Sequence, residues 1–253
     1  MNMATVPTPE NQSALYSELG HYISIEGRNG EVGVSKSQLI KLDMGTPIVG
    51  DADALIKAAT STELPDTETV TYTFPAVSAS PQDGANITGI MDVPRNITAL
   101  VTHSSSIVAM TIVITGTDVF GVAMSELMTV VATGTSTAYN GKKAFKTVTS
   151  IAMTAAADAE ANTVGMGFGD VLGIPYVLTD ESDVLGFYAD ATEEKLASVF
   201  VGAVATNPAT TATGDVRGTV NPNTTLDGSV QLYLWMGVRD TTTTRGFKGI
   251  TQA

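Results

Sequence analysis

Cysteine is absent from this chain, and histidine is nearly so. Among 253 residues there are no Cys and only 2 His. Without thiols, no disulfide, thiolate nucleophile or cysteine-ligated zinc site can form. The two imidazoles are His21 and His103, and His103 lies in "VTHSSS", where a strand-like run ends. A surface or turn role is favoured over catalysis at that position.

Charge is scarce and mostly of one sign. Only 15% of the residues are charged, and 26 Asp and Glu against 13 Lys and Arg give a net charge of −13. Such a chain has few cations to replace the counterions of nucleic acid or to hold an anionic membrane. We therefore predict no nucleic-acid partner and no membrane partner.

Long hydrophobic runs and a secretory leader are also missing. No apolar stretch approaches the ~20 residues that cross a bilayer. The opening "MNMATVPTPENQ" has neither a basic n-region nor an apolar h-region. We therefore expect the protein to be made and folded in a cytoplasm.

Alternating β-branched and aromatic segments dominate what is present. In "ETVTYTF", Val70, Tyr72 and Phe74 share one face and threonines the other, and "IVITGTDVFGVAMSE" reads as strand, turn and strand. The pairs Asn29–Gly30 and Asn140–Gly141 predict hairpin turns. Short strands at close spacing predict a mainly antiparallel β-sandwich or jelly-roll domain over residues 65–253.

The first 64 residues are predicted to be a separate arm or small subdomain with short helices. Thr8 and Pro9 are suited to begin one helix, and "DADALIKAA" (51–59) predicts another. The boundary is placed near Leu64, after a polar stretch. This arm is too small to bury its own apolar side chains. We expect an assembly or docking interface there, formed by Leu15, Tyr16, Leu19, Ile23 and Ile25.

Motifs for catalysis, cofactors and metals are weak. There is no G-x-S-x-G sequence, and "GMGFGDVLG" (165–173) lacks the glycine spacing of a dinucleotide loop. Asp180, Glu181 and Asp183 could line a Ca²⁺ loop, but a solvated acidic loop is favoured. We predict no catalytic residue, no metal site, no cofactor and no enzymatic activity.

Two short motifs are interpreted as structural. In "TGTDVFG", Gly116 and Gly121 allow a tight backbone and Asp118 caps the turn, while Glu126 downstream is compatible with a surface position. In "GDVRGTV", Arg217 follows Asp215 closely. We expect Arg217 to be partly buried and paired with a carboxylate or with strand-end carbonyls.

Several motifs, taken in order, resemble a known family. They are "DVPRNITALV" with "ITGTDVFGVAMSE", then "GKKAFKTVTSI", and then "GMGFGDVLGIP" with "TATGDVRGTVNP", within about Asp92–Val238. This order is similar to that in tailed-bacteriophage virion structural proteins, among them capsid decoration (cement) proteins of β-sandwich type. The resemblance implies a virion role on the outer capsid surface, a homotrimer, and the major capsid protein as partner.

Two alternatives stay open at this point. A tail, fibre or head–tail junction component would have the same β-rich composition. A glycan-binding or glycan-cleaving β protein is the second alternative, and cleavage would require two carboxyl groups about 5–10 Å apart. Copy number in the particle separates head from tail, and a cleft with paired acids would favour the enzyme.

Overall fold

The computed structural model describes residues 21–24, 35–58, 69–75, 86, 88–155, 162–178, 180–195, 200–203 and 214–239. Within this part of the chain, strands predominate and the only helix is a 3-10 turn at Glu181–Asp183. The strands are β1 (His21–Ser24), β2 (Ser35–Gly45), β3 (Asp51–Ile56), β4 (Thr69–Thr73), β5 (Ile90–His103), β6 (Met110–Thr117), β7 (Ala123–Val130), β8 (Ser136–Ala155), β9 (Asn162–Gly173), β10 (Val184–Ala189), β11 (Thr192–Glu194), β12 (Phe200–Gly202), β13 (Gly218–Val220) and β14 (Leu232–Arg239).

The strands form two sheets in a sandwich-like arrangement. The small sheet has the order β1-β2-β14-β10-β11. The large sheet has the order β12-β13-β9-β5-β8-β6-β7, with β3 also paired to β9 and β4 to β8. Every one of these pairings is antiparallel. The prediction of a mainly antiparallel β fold is confirmed.

The hairpin of β6 and β7 follows the sequence pattern closely. The two strands pair without a register shift, from Met110 opposite Val130 to Thr117 opposite Ala123. Gly121 in the turn has φ +77°, a conformation that glycine adopts without steric cost. Gly116 allows close contact between strands, since a Cβ there would lie 2.0 Å from the Thr147 carbonyl oxygen on β8.

An Asn-Gly pair that predicts a turn lies instead inside a strand. Asn140 and Gly141 belong to β8, so the second hairpin prediction is wrong. Between the pairs Asn96–Ala144 and Thr98–Asn140, β8 has two more residues than β5, which makes a bulge. A Cβ on Gly141 would lie 2.7 Å from the Ile97 carbonyl oxygen, so glycine here allows close backbone approach.

Two hydrophobic cores divide the interior. The first contains side chains only from the large sheet and its connections, so that sheet encloses its own core. The second lies between the sheets, and most of its aliphatic side chains alternate along their strands with outward ones. Its buried members are Met44, Leu172, Ile174, Leu178, Val184, Phe187, Ala189, Val220, Leu226, Leu232, Leu234 and Met236.

Residues before Leu64 contribute to both sheets. β2 lies between β1 and β14 in the small sheet, and β3 pairs with β9 in the large sheet. Over residues 35–58 the chain is therefore part of the sandwich and does not form a separate arm. The helix predicted from "DADALIKAA" is wrong, because Asp51–Ile56 is a strand whose Ala54, Leu55 and Ile56 are fully buried.

The remaining N-terminal predictions fall largely outside the described residues. The helix at Thr8 and the proposed interface residues Leu15, Tyr16, Leu19 and Ile25 lie there. Ile23 belongs to β1, which pairs with β2 from His21 opposite Gln38 to Ser24 opposite Ser35. The pairing agrees with the predicted first hairpin, whose Asn29–Gly30 turn is likewise outside the described part.

Candidate functional site

A surface groove opens where the connection between β2 and β3 passes the start of β5. Its volume is about 660 Å³. Three aliphatic side chains that line it are about half exposed: Ile48 at 48%, Val49 at 51% and Ile90 at 57%. Grouped exposed apolar side chains are typical of interaction sites. The remaining lining residues are Asp51, Asn86, Thr88, Met91, Asp92 and Phe168.

The guanidinium group of Arg95 fixes one wall of this groove. Arg95 is fully buried, and its Nε and Nη2 donate to the two carboxylate oxygens of Asp92 at 2.6 and 2.7 Å. Nη2 also donates to the Ile48 carbonyl at 2.5 Å, and Nη1 to the Gly169 carbonyl at 3.1 Å. One side chain thus connects the β2–β3 connection to β5 and β9. The three segments are therefore held together through one guanidinium group.

Two carboxylates also bind backbone N–H groups of the β2–β3 connection, and together with Arg95 they form what we call the Arg95 clamp. Asp92 accepts the Ile48 N–H at 3.1 Å, and Asp170 accepts the Gly50 N–H at 2.7 Å. Burial acts to raise the pKa of Asp92. The Arg95 hydrogen bonds and charge, with backbone N–H groups, outweigh burial and lower the pKa below its ordinary value. Asp92 is therefore ionised at neutral pH and holds Arg95 as a bidentate pair.

A second buried arginine joins the β6–β7 turn to the approach of β13. Arg217 is 1% exposed, and its Nη1 lies 2.8 Å from Asp118 Oδ2. Asp118 Oδ1 accepts the N–H groups of Phe120 and Val122 at 2.8 and 3.0 Å, the turn-capping role that the sequence predicts. The Arg217 guanidinium lies 5.0 Å from the Phe120 ring centroid. Among the described residues, its Nε and Nη2 have no hydrogen-bond partner.

Asp215 supports Arg217 through the backbone. Its Oδ1 accepts the Arg217 N–H at 2.8 Å, and its Oδ2 accepts the Ala144 N–H of β8 at 3.0 Å. The side chain is 6% exposed. Asp215 therefore joins the segment before β13 to the end of the β8 bulge.

Glu126 likewise accepts backbone N–H groups of β8, at the other side of the bulge. It is 3% exposed, and so does not lie at the surface. Its Oε1 accepts the Lys142 N–H at 2.5 Å and its Oε2 the Lys143 N–H at 3.4 Å. Two buried carboxylates therefore accept the N–H groups of three successive residues of β8, two within the bulge and one at its end.

The side chain of Lys143 places a cation within this cluster. Lys143 is fully buried, and its Nζ donates to the Ser125 carbonyl at 2.8 Å. Burial raises the pKa of Glu126 to about 7, against the lowering effect of the two amides and of the Lys143 charge. Burial likewise lowers the pKa of Lys143, although Glu126 and Asp215 oppose this. The cluster therefore changes charge near neutral pH.

The weaker motifs occupy structural positions. His103 ends β5, and its Nδ1 accepts the N–H groups of Ser105 and Ser106 at 2.8 and 2.9 Å. Asp180 caps the 3-10 helix by accepting the Ser182 N–H at 2.8 Å. The glycine-rich segment 165–173 is part of β9. Within the described ranges, no three acidic or imidazole side chains are grouped as a metal site would require.

No family model, curated protein or solved structure matches this chain. A functional proposal therefore rests on the groove and on the clusters described above. In the part of the chain that the structure describes, no helix is long and apolar enough to cross a bilayer.

The structure brings together the residues that the sequence singled out in two distant motifs. Asp118 and Arg217 form an ion pair, with Asp215 beside them. Glu126 was missed, although a signal exists: it lies between Met124 and Met128, at the inward positions of β7. The groove carries no sequence signal, because its aliphatic residues belong to separate segments.

Proposed function

We propose that this chain is a non-enzymatic structural protein of a bacteriophage virion. In this proposal it is a decoration (cement) protein that binds the outside of the head and bridges subunits of the major capsid protein. The observation that supports it best is the exposed aliphatic groove whose wall Arg95 holds together. A preformed apolar groove suits binding to a protein segment at low entropic cost.

The lining of the groove indicates what it would bind. Ile48, Val49 and Ile90 offer aliphatic contact. Asp51 adds an acidic group to the lining, whereas the charge of Asp92 is compensated by Arg95. The complementary partner is an extended apolar segment flanked by a basic residue, which we place on the major capsid protein. The groove would be the centre of an interface of roughly 1,600 Å², the standard size for a stable complex.

The net charge of −13 favours a position away from packaged DNA. Each subunit would cross a seam between capsid proteins, so that internal pressure must break its contacts before the shell opens. Such a bridge raises the barrier to rupture and slows the loss of particles. We propose that the subunits act as a homotrimer, with the interface at Leu15, Tyr16, Leu19, Ile23 and Ile25.

The groove is tested by mixing purified variants with heads that lack the protein. Ile48→Asp and Ile90→Asp place a charge where the capsid segment would lie, and we expect both to lose binding. Val201→Asp is the matched control, because Val201 is 61% exposed on β12 and does not line the groove. Equal binding by all three variants would refute the groove as the attachment site.

The N-terminal residues require a separate test. A deletion that includes β2 removes the neighbour of β14 and would disrupt the small sheet. Removal of residues 1–20 alone leaves the described strands intact. We expect the shortened chain to bind heads more weakly and to have the mass of a single chain by light scattering. An unchanged trimer would move the subunit interface elsewhere.

A tail, fibre or junction component is the alternative, and copy number separates it from decoration. Immunogold labelling of intact particles should cover the head surface at hundreds of copies if decoration is correct. Labelling confined to the tail vertex would replace the proposal by this alternative.

A further inference from the structure

The outward face of the small sheet carries three aromatic side chains on two adjacent strands. Tyr188 on β10 is directly opposite Tyr233 on β14, and Trp235 is two residues further along β14. Residues opposite each other, or two apart on one strand, point to the same side of a sheet. Leu234 and Met236, between and beyond them, are fully buried on the other side. We name Tyr188, Tyr233 and Trp235 the aromatic face.

The rings of the aromatic face reach solvent, although the Lys41 ammonium covers one side of the Tyr233 ring. Trp235 is 37% exposed, and the two tyrosines are half-buried. A Cβ on Gly186, which pairs with Trp235, would lie 2.8 Å from the Tyr188 ring. The Tyr188 ring therefore lies over Gly186, across the sheet beside Trp235. Glycine at 186 thus leaves room for the Tyr188 ring, which a side chain there would displace.

Polar and charged side chains flank these rings. Across the sheet, one row reads Glu193, Tyr188, Tyr233 and Asp43, and the next row places Lys41 opposite Trp235. Lys41 Nζ lies 3.6 Å from the Tyr233 ring centroid and 5.7 Å from that of Trp235. Gln231 donates its Nε2 to Asp43 Oδ1 beside them. Hydrogen-bond donors and acceptors therefore surround the rings.

We propose that the aromatic face is a binding site for a saccharide chain. Sugar rings have apolar C–H faces that stack on aromatic rings and hydroxyl edges that hydrogen-bond to carboxylate, amide and ammonium groups. The row of four strands spans ~14 Å, at ~4.8 Å per inter-strand step, which accommodates more than one sugar ring. This site goes beyond the proposed attachment to the capsid, because it lies on the other sheet from the groove.

The composition of the face favours a saccharide over a second protein. Protein interfaces concentrate aromatic residues but are depleted of Lys, Asp and Glu at their centres. Here Lys41, Asp43 and Glu193 are exposed directly among the rings. Burying these charges against a protein would require a matched partner for each, whereas sugar hydroxyls can hydrogen-bond to any of them.

The test uses the single tryptophan of the chain as its reporter. Trp235 is the only Trp among seven Tyr, so fluorescence excited beyond the tyrosine absorption band reports on the surroundings of Trp235. The full chain is titrated with cellohexaose, maltohexaose, chitohexaose and mannohexaose. We expect a saturable change in emission with at least one of them, with a dissociation constant of about 1 mM or below. The absence of a saturable change with all four would overturn the proposal.

Variants localise the binding. Tyr233→Ala and Tyr188→Ala keep the reporter and remove one stacking ring, and each should weaken binding about tenfold. Trp235→Ala removes the reporter, so it is tested by affinity electrophoresis in gels that contain the polysaccharide built from the sugar that binds. We expect this variant to show no retardation. Circular dichroism establishes that each variant is folded. Unchanged affinity in folded variants would overturn the site.

Two controls separate this proposal from others. Ile90→Asp, in the groove of the large sheet, should bind saccharide normally while failing to bind heads, so the two proposals can fail independently.

Light scattering tests the competing protein interface. Self-association that disappears in Trp235→Ala, without saccharide binding in the parent chain, would assign the face to a second copy and overturn the saccharide site.

Discussion

Two fully buried arginines in this protein differ in the number of hydrogen bonds they donate and in the exposure of their partner carboxylates. Arg95 donates to two carboxylate oxygens and two backbone carbonyls, and its partner Asp92 is 31% exposed. Arg217 pairs with Asp118, which is 2% exposed, through one nitrogen, and its Nε and Nη2 find no hydrogen-bond partner among the described residues. Arg95 fixes a surface loop, whereas Arg217 joins two segments inside the molecule.

Because of this difference, breaking the two ion pairs should have different consequences. At Arg95 the ion pair borders water on one side, so the Asp92 carboxylate can be rehydrated if the pair is broken. At Arg217 the pair is enclosed, and loss of either partner leaves an uncompensated charge in the interior. The first arrangement shapes the wall of the surface groove, and the second holds the segment around 214–220 to the β6–β7 turn.

Arg217→Ala should therefore have the largest effect on stability. It leaves Asp118 buried without its cation, and we expect a loss of about 3–5 kcal/mol in the free energy of unfolding. The melting temperature should fall by roughly 6–15 °C. Thermal unfolding followed by circular dichroism measures this fall.

A double-mutant cycle provides the control for this loss. Asp118→Ala in the Arg217→Ala background should cost much less than Asp118→Ala alone, because the partner is already gone. Additive losses in the cycle would show that the two side chains are not coupled.

Glu126 makes the interior cluster sensitive to pH near neutrality. Its pKa in the folded protein is about 7, against an ordinary value of 4.5. The folded state therefore binds the proton more tightly, and this stabilisation is present below pH 4.5 and lost as pH rises to 7. It amounts to about 3 kcal/mol. In Glu126→Gln, which cannot ionise, this fall in unfolding free energy across the window should disappear.

Glu194→Gln is the matched control for the pH measurement. Glu194 is also buried and accepts two backbone N–H groups, from Asn223 and Thr224 at 2.6 and 2.9 Å. Its variant shows how the loss of a buried carboxylate that accepts two backbone N–H groups affects the free energy of unfolding. If Glu126→Gln keeps the pH dependence of the parent, another group is responsible for it.

Arg95→Ala should cost less than Arg217→Ala, about 2–3 kcal/mol, because water can reach Asp92. Its second effect is on the groove, since the Ile48 carbonyl loses its donor. We expect faster amide hydrogen exchange at residues 48–50 with little change at β7. Exchange that speeds up equally in both places would remove the distinction between the two arginines.

Acid should weaken the Arg95 clamp, because it protonates Asp92. The folded pKa of Asp92 lies below 3.8, so the clamp contributes stability above that pH and loses it as pH falls through the folded value. Asp92→Asn should abolish this acid-side loss. An Asp92→Asn profile that still falls in acid as the parent does would place the loss on another carboxylate.

Ile90→Ala should have the smallest effect on stability. The side chain is 57% exposed, so its truncation should change the unfolding free energy by no more than about 0.5 kcal/mol. Urea denaturation measures this change. A loss above about 1 kcal/mol would mean that Ile90 is part of the core rather than of a docking surface.

The sequence predicted the fold class and the two structural motifs because both depend on local patterns. Alternation around Ile112 and Ile114, and the capping of a Gly-Thr-Asp turn by Asp118, act over a few residues. The ion pair between Asp118 and Arg217 depends on tertiary structure. From the sequence, only the need of Arg217 for some partner could be stated.

The errors have a common physical cause, because a local preference was overruled by long-range pairing. "DADALIKAA" has alanines suited to a helix, yet Asp51–Ile56 pairs with β9 and buries three residues. Asn140–Gly141 has a turn composition, yet Gly141 is needed where β5 and Glu126 come close to β8. The groove and the aromatic face could not be predicted, because their members come together only after folding.

The pairing of β2 with β14 determines when the small sheet can form during synthesis. These partners are roughly 190 residues apart in the chain. On the ribosome, strands β4 to β9 are complete well before β14 emerges, so the large sheet can close around its own core first. Until then β2 presents an unpaired edge on which another nascent chain could add a strand. Pulse-labelled hydrogen exchange during refolding should accordingly find β2 amides protected after those of β6 and β8.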